Sequence, residues 1–186
     1  LFGAGSMLVD MIRVARRNNP IGEIWALPLA DTGVAQTFTV TLSGTLTPGI
    51  LVLYIAGHRI AVSVTSADTL TTAAAALVAA INAGYRSIDG SWYSHGVTAA
   101  NVAGVITLTA RHQGAIGATI GVEKDRIGDE GPNASNITIA SGTAGSGQPS
   151  LTAGLAALGS QEFDMIALPY ADATSLNALR DFLSDT

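Results

Sequence analysis

The chain has 186 residues, 48% of them hydrophobic and 12% charged, with a net charge of −5 and no cysteine. The length allows one sizeable core or two small domains. The missing cysteines exclude disulfides and thiolate metal sites, and Lys124 is the only lysine, so there is no basic stripe to hold a nucleic acid. The charged share is about half the usual ~25%, which points to surface that other subunits cover; Thr, Ser, Asn and Gly solvating the surface is the plainer alternative.

No apolar run reaches the roughly 18 residues that span a membrane. The opening Leu1-Phe2-Gly3 has neither an initiator Met nor a basic n-region, and reads as cut from a longer polypeptide. From Ser6 to Arg17 the apolar stripe Met7, Leu8, Met11, Ile12 and Ala15 predicts an amphipathic helix. Ser6 is its N-cap, and Asn18-Asn19-Pro20 stops it. Glu23 to Leu29 is a short apolar run ending at Pro28 without alternation, expected as a strand buried on both faces of a parallel sheet.

The pattern then changes. Thr37 to Ser43 alternates strictly, and Ile50–Ala56 and Arg59–Thr65 form a hairpin joined at Gly57-His58. Asp68 is the expected cap of a helix from Thr69 to about Ala83, ended by Gly84. A loop from Tyr85 to Gly96 carries Trp92 and Tyr93. Strands are expected at Val97–Ala100, Val105–Ala110, Thr119–Glu123 and Ile137–Ile139, with a charged loop from Lys124 to Asn136. Thr143 to Pro149 is Gly/Ser-rich and reads as a linker. A short helix with Leu151, Leu155 and Leu158 follows, then a second buried strand, Phe163 to Leu168, then a helix from about Ala173 to Leu183 capped by Asp172.

Ala26-Leu27-Pro28-Leu29-Ala30-Asp31 returns as Ala167-Leu168-Pro169-Tyr170-Ala171-Asp172, five identities in six. The economical reading is an insertion. Residues 1–35 and 149–186 form an α/β layer with two adjacent parallel strands, and 36–148 form a mainly antiparallel β (α+β) domain between them.

Chemistry has little support. His58, His95 and His112 have no partner motif, and there is no Gly-x-Ser-x-Gly elbow. Gly3-Ala4-Gly5-Ser6 before a helix fails both the dinucleotide and the Walker patterns. Asp31 and Asp172, at strand ends, could hold a metal, but turn and capping roles fit them better. Asp125, Asp129 and Glu130 lack calcium-loop spacing. No catalytic, cofactor-binding or metal residue is assigned, and no cofactor is expected. Tyr85, Trp92 and Tyr93 form a possible interaction loop, or else a satellite core.

Several segments, in order along nearly the whole chain, resemble the tail sheath proteins of Mu-like contractile phages. They are Phe2-Gly3-Ala4-Gly5-Ser6-Met7-Leu8, Asn18-Asn19-Pro20, Glu23 through Asp31, Leu53 through Ile60, Val97 through Ala100, Leu108 through Gly114, and Phe163 through Asp172. The sequence departs at Ala118, where the family has an Asn. The resemblance implies a subtilisin-like α/β layer without a working triad, and a structural role rather than an enzymatic one. It implies stacked hexameric rings of sheath subunits around a tail tube, with a baseplate, that contract to drive the tube through the host envelope. The expected location is the virion tail, assembled in the bacterial cytoplasm, and the 186-residue piece alone is expected to be a monomer. The rival reading is a β-rich, adhesin-type module that recognises glycan or protein; a hydrolase with an incomplete site ranks third.

Overall fold

The computed structural model describes residues 6–87, 90–124, 126, 128 and 131–184. The expected phosphate-loop look-alike (Gly3 to Gly5) and the acidic cluster Asp125, Asp129 and Glu130 lie outside the described residues. Helix α1 (Met7–Asn18) starts where Ser6 accepts a hydrogen bond from the Val9 N–H, and it carries Arg16 and Arg17 in its last turn, where positive charge suits the helix dipole.

The central fold is built from β1 (Ala35–Leu42), β2 (Gly49–Ile55), β3 (His58–Val64), α2 (Leu70–Ala83), β4 (Tyr85–Arg86), β5 (Trp92–Tyr93), β6 (Val97–Val102), β7 (Val105–Gln113), β8 (Val122–Glu123) and β9 (Ile137–Ser141). A four-stranded sheet has the order β6-β7-β1-β9, a three-stranded sheet the order β3-β2-β8, and β4-β5 form a two-stranded ribbon. Every strand pairing among the described residues is antiparallel. The tight turns Ala56-Gly57 and Ala103-Gly104 have positive φ at both residues, the geometry that matches the right-handed twist of a two-residue hairpin. The first turn thus lies one residue earlier than expected, and His58 opens β3.

Alternation in β1 and β7 sorts the two faces of the larger sheet. Val40, Leu42, Ile106 and Leu108 turn inward, while Thr37, Thr39, Thr107 and Thr109 turn outward. The inward face meets the other sheet and α2, which lies across β3 and β6. Leu51, Leu53, Ile55, Leu77 and Ile81 complete a core drawn wholly from residues between Phe38 and Ile139. Each such side chain contributes about 1.5–3 kcal/mol by leaving water. The β6 edge is closed by Asn82, whose side-chain amide exchanges hydrogen bonds with Ala99 N and O at 2.9 and 2.8 Å.

Three expectations change locally. Thr69, not Asp68, caps α2, in a reciprocal box with Thr72; Asp68 instead accepts from Thr65 and from the Thr72 hydroxyl. Thr119 to Glu123 shortens to β8, because Ala115–Thr119 is a 3-10 turn. The Gly/Ser-rich stretch is pinned rather than loose. Thr143 N donates to Thr37 Oγ1 at 2.7 Å, Gly145 N to Gln36 Oε1 at 2.9 Å, and Val34 and Ser146 exchange backbone bonds of 2.8 and 3.1 Å. The two crossings of residues 34 and 146 therefore run side by side.

Outside this core lie α1, α3 (Thr152–Ala156) and α4 (Ala173–Ser184). The expected parallel pair is not seen: Glu23–Leu29 and Phe163–Leu168 carry no strand assignment. A strand exists through its ladder, and two parallel segments are too few to form a sheet by themselves. The chain is therefore a mixed α/β fold dominated by antiparallel sheets. The two apolar segments do meet: Trp25 packs edge-on to Phe163 with ring centroids 6.0 Å apart. Leu27 and Leu29 lie against Gly154 of α3, whose Leu155 is buried beside Leu151.

Candidate functional site

Two regions stand out, and the first is an exposed apolar surface outside the core. Ile21 is 94% exposed, Met165 88% and Trp25 56%, with Ile166, Leu176 and Leu183 also open. Phe163, Ile166, Phe182 and Leu183 line a shallow groove of about 210 Å³. Helix α1, though amphipathic, has no buried residue. Scattered apolar side chains on a surface are ordinary; these lie in segments that contribute nothing to the core.

The second region gathers all three histidines of the chain. The β4-β5 ribbon pairs Tyr85 with Tyr93 and Arg86 with Trp92. His58, at the start of β3, stacks on Tyr85 at 3.7 Å, and Tyr85 stacks on Tyr93 at 5.7 Å. The Arg13 guanidinium of α1 sits 5.3 Å from the Tyr93 ring and donates to Trp92 O at 2.9 Å. His95 lies beneath, 5.3 Å from Tyr85 and 6.0 Å from His58. It is only 3% exposed, and its Nδ1 has no hydrogen-bond partner. Burial pushes the His95 imidazole below the usual histidine range, the nearby His58 adds to this, and the Gly84 carbonyl partly opposes it. His112, at the end of β7, accepts from Met7 N at 2.8 Å. Burial holds the Asp10 carboxyl above its ordinary range, although Arg13, 3.4 Å away, and His112 pull it back.

The possible interaction loop is therefore split by the fold. Tyr85 and Tyr93 stack in a column with His58. Trp92 is half exposed, with Arg86 5.0 Å from its ring. The histidines meet rings and a backbone N–H, not a serine with a carboxylate behind it, and among the described residues no three His, Cys, Asp or Glu side chains gather as a metal would need.

The two strand-end aspartates also part. Asp172 caps α4, accepting from Ser175 N at 2.9 Å, and hydrogen bonds from the Ser175 side chain and backbone lower its pKa. Asp31 accepts from Gln113 N at 3.0 Å, 82 residues away, which ties the first apolar segment to β7. Tyr170 of the second segment lies near enough for burial and the Asp31 charge to raise its pKa.

Sequence reasoning missed Asn133. It is fully buried, accepts from Thr47 N at 2.8 Å and donates to Thr47 O and Ile50 O at 2.9 and 3.3 Å. The only signal was an Asn beside a Pro, which also fits an ordinary loop.

Among known proteins, the chain is 33% identical over 185 residues to the Mu-like prophage FluMu tail sheath protein of Haemophilus influenzae (strain ATCC 51907 / DSM 11121 / KW20 / Rd). The match covers 97% of this chain and 36% of that relative, so the chain spans about a third of its length. No family model matches the chain.

Proposed function

We propose, from the premise that this chain is homologous to a stretch of a Mu-like phage tail sheath protein, that it is part of a subunit of a contractile tail sheath. The subunits polymerise around the tail tube as stacked hexameric rings, above a baseplate, and contract to drive the tube through the host envelope. The protein is a structural component of the virion tail, assembled in the bacterial cytoplasm.

One observation carries this reading. Residues 38–139 own a closed core, whereas the flanking segments expose Ile21, Trp25, Met165, Ile166 and Leu183. We read 36–148 as an inserted β-rich domain, and 1–35 with 149–186 as part of a subtilisin-like α/β layer. The two echoed segments support that division. Trp25 meets Phe163 near their beginnings and Asp31 lies near Tyr170 at their ends, as neighbours running the same way would. Further strands of the longer subunit, or extended arms of neighbouring ones, complete the sheet. Main-chain pairing of this kind needs no special side chains, which fits an assembling protein without a chemical motif.

Contraction then draws on interfaces that are metastable in the extended lattice, with the insert facing outward. The 186-residue piece alone is a monomer. The test is negative-stain electron microscopy of the full-length subunit expressed with its tube and baseplate partners. Hollow tubes of regular width support the proposal; dispersed particles under those conditions overturn it.

One observation favours a second reading, a β-rich module that binds glycan or protein: the half-exposed Trp92 backed by Arg86. A saturable change in Trp fluorescence with oligosaccharide, lost in Trp92→Ala, would support it.

A further inference from the structure

We infer that the β-rich domain joins its flanks through a stiff neck instead of a linker. Residues 31–34 and 142–148 form one backbone-bonded unit with the end of β7, so that any hinge between the domain and its flanks lies outside residues 31–148. The inference rests on the division of the chain at residues 36 and 148, and not on the sheath reading.

The returning crossing is bonded along nearly its whole length. Gly142 N donates to Thr37 O at 2.9 Å, Thr143 N to Thr37 Oγ1 at 2.7 Å, Gly145 N to Gln36 Oε1 at 2.9 Å and Ser146 N to Val34 O at 3.1 Å. In the other direction Thr37 N donates to Thr143 O at 2.9 Å, Val34 N to Ser146 O at 2.8 Å and Ala115 N to Gly147 O at 2.9 Å. A flexible Gly/Ser linker leaves these groups to water. Gln36 is itself buried and anchored, its Nε2 donating to Thr37 O at 2.8 Å.

A third backbone removes the remaining freedom. Two crossings alone define an axis about which the domain could swing. The end of β7 lies off that axis and bonds to both of them. Gly114 N donates to Val34 O at 3.0 Å, Gln113 N to Asp31 Oδ2 at 3.0 Å, and Ala115 N reaches Gly147 O on the returning crossing.

The glycines here serve close approach. A Cβ on Gly145 would lie 2.5 Å from Gly114 O, and one on Gly114 would lie 2.6 Å from Gly147 O. A Cβ on Gly147 would lie 3.0 Å from Gly33 Cα, and one on Gly33 would press into Ser146 O. Each obstacle is a backbone atom, which cannot rotate aside as a side chain does. Hinges are loop residues free to absorb changes in φ and ψ, and these positions are fixed from three sides. A displacement of the chain at residues 31 and 148 therefore carries the whole β-rich domain with it.

The test is residue-resolved amide exchange by NMR on the 186-residue chain, in wild type, Gly145→Ala and Gly159→Ala. In wild type the amides of Val34, Gly114, Ala115 and Ser146 should exchange within roughly tenfold of the β7 core amides. Gly145 does not have a left-handed φ, so its substitution probes the contact alone. Gly145→Ala should speed exchange of the four neck amides by at least about tenfold and leave β2 and β3 protected. Gly159, at φ +62° with no atom within 4 Å of a Cβ, is the control, and Gly159→Ala should leave the neck unchanged. Wild-type neck amides exchanging more than about a hundredfold faster than β7 overturn the inference, and so does a neck indifferent to Gly145→Ala. A second measurement does not depend on that variant folding. The chain has no cysteine, so spin labels can be placed at Thr32→Cys with Ala61→Cys, and at Ala61→Cys with Ala76→Cys within the domain. The first pair should give one distance distribution as narrow as the second; a broad or two-peaked distribution for the first pair alone overturns the stiff neck.

Discussion

Replacing Asn133 tests how the 124–136 loop is tied to the core. The side chain is fully buried and bridges to Thr47 N, Thr47 O and Ile50 O at 2.8, 2.9 and 3.3 Å. These residues precede it by more than 80 positions, so the amide closes a long loop onto the start of β2. Asn133→Ala removes three hydrogen bonds and takes that partner from one backbone N–H and two backbone carbonyls. At about 1 kcal/mol net for each bond, and more where a buried group is stranded, the expected loss is about 2–4 kcal/mol. For a chain of this length that is a fall in Tm of roughly 5–15 °C. Asn133→Asp keeps the shape and the acceptor toward Thr47 N, but aims a second oxygen at two carbonyls and buries a charge. It should cost at least as much as Ala at neutral pH. Urea unfolding followed by far-UV circular dichroism measures both. A loss below about 1 kcal/mol for Ala, or an Asp variant as stable as wild type, would refute the reasoning.

Other consequences follow from the same contacts. Leu53→Ala, in the closed core, should cost about 2–5 kcal/mol, whereas Trp25→Ala and Met165→Ser, on exposed side chains, should move chemical stability by under about 0.5 kcal/mol while impairing assembly of the full-length subunit. Gly33 has φ +103°, and a Cβ there would press into Ser146 O where the two crossings run side by side; Gly33→Ala should destabilise by about 1–3 kcal/mol in thermal melts. His95 has a lowered pKa in the folded chain, so folding favours its neutral form. That contribution is complete above the unfolded value of about 6.5 and is lost as pH falls below it. His95→Asn should flatten the acid side of a stability–pH profile between pH 7 and 5.

Much of the central fold was legible because it is written in local patterns. The alternation in Thr37–Ser43 marked one strand, Val105–Ala110 read as another, and Gly84 marked the end of α2. The cap was misread because Asp68, Thr69 and Thr72 lie within one turn, and only the backbone angles decide which leads the helix. The two apolar segments were read as strands because a run of Ile24-Trp25-Ala26-Leu27 implies burial on both faces. A strand needs a ladder, and among the described residues neither segment is hydrogen-bonded into one: Trp25 and Phe163 meet through their rings, and Leu27 and Leu29 lie against Gly154. The linker was misread for a different reason: Gly and Ser predict freedom, but Gln36 and Thr37, more than 100 residues earlier, hold Thr143 and Gly145. The histidine column was invisible for the same reason. His58 and His95 meet Tyr85, and His112 meets Met7 and Asp10, only after the sheets form, and no spacing in the sequence announces it. The resemblance to Mu-like tail sheath proteins, carried by scattered segments, was legible from the sequence and agrees with the measured homology.

The central claim is that the apolar segments outside the core are completed by the rest of the subunit and by its neighbours. Amide hydrogen exchange, measured on the 186-residue chain and on the full-length assembled sheath, tests it most directly. Residues 23–29 and 163–168 should exchange rapidly in the chain alone and slowly in the sheath, while β7 is protected in both. Rapid exchange of both segments in the assembled sheath would contradict the account.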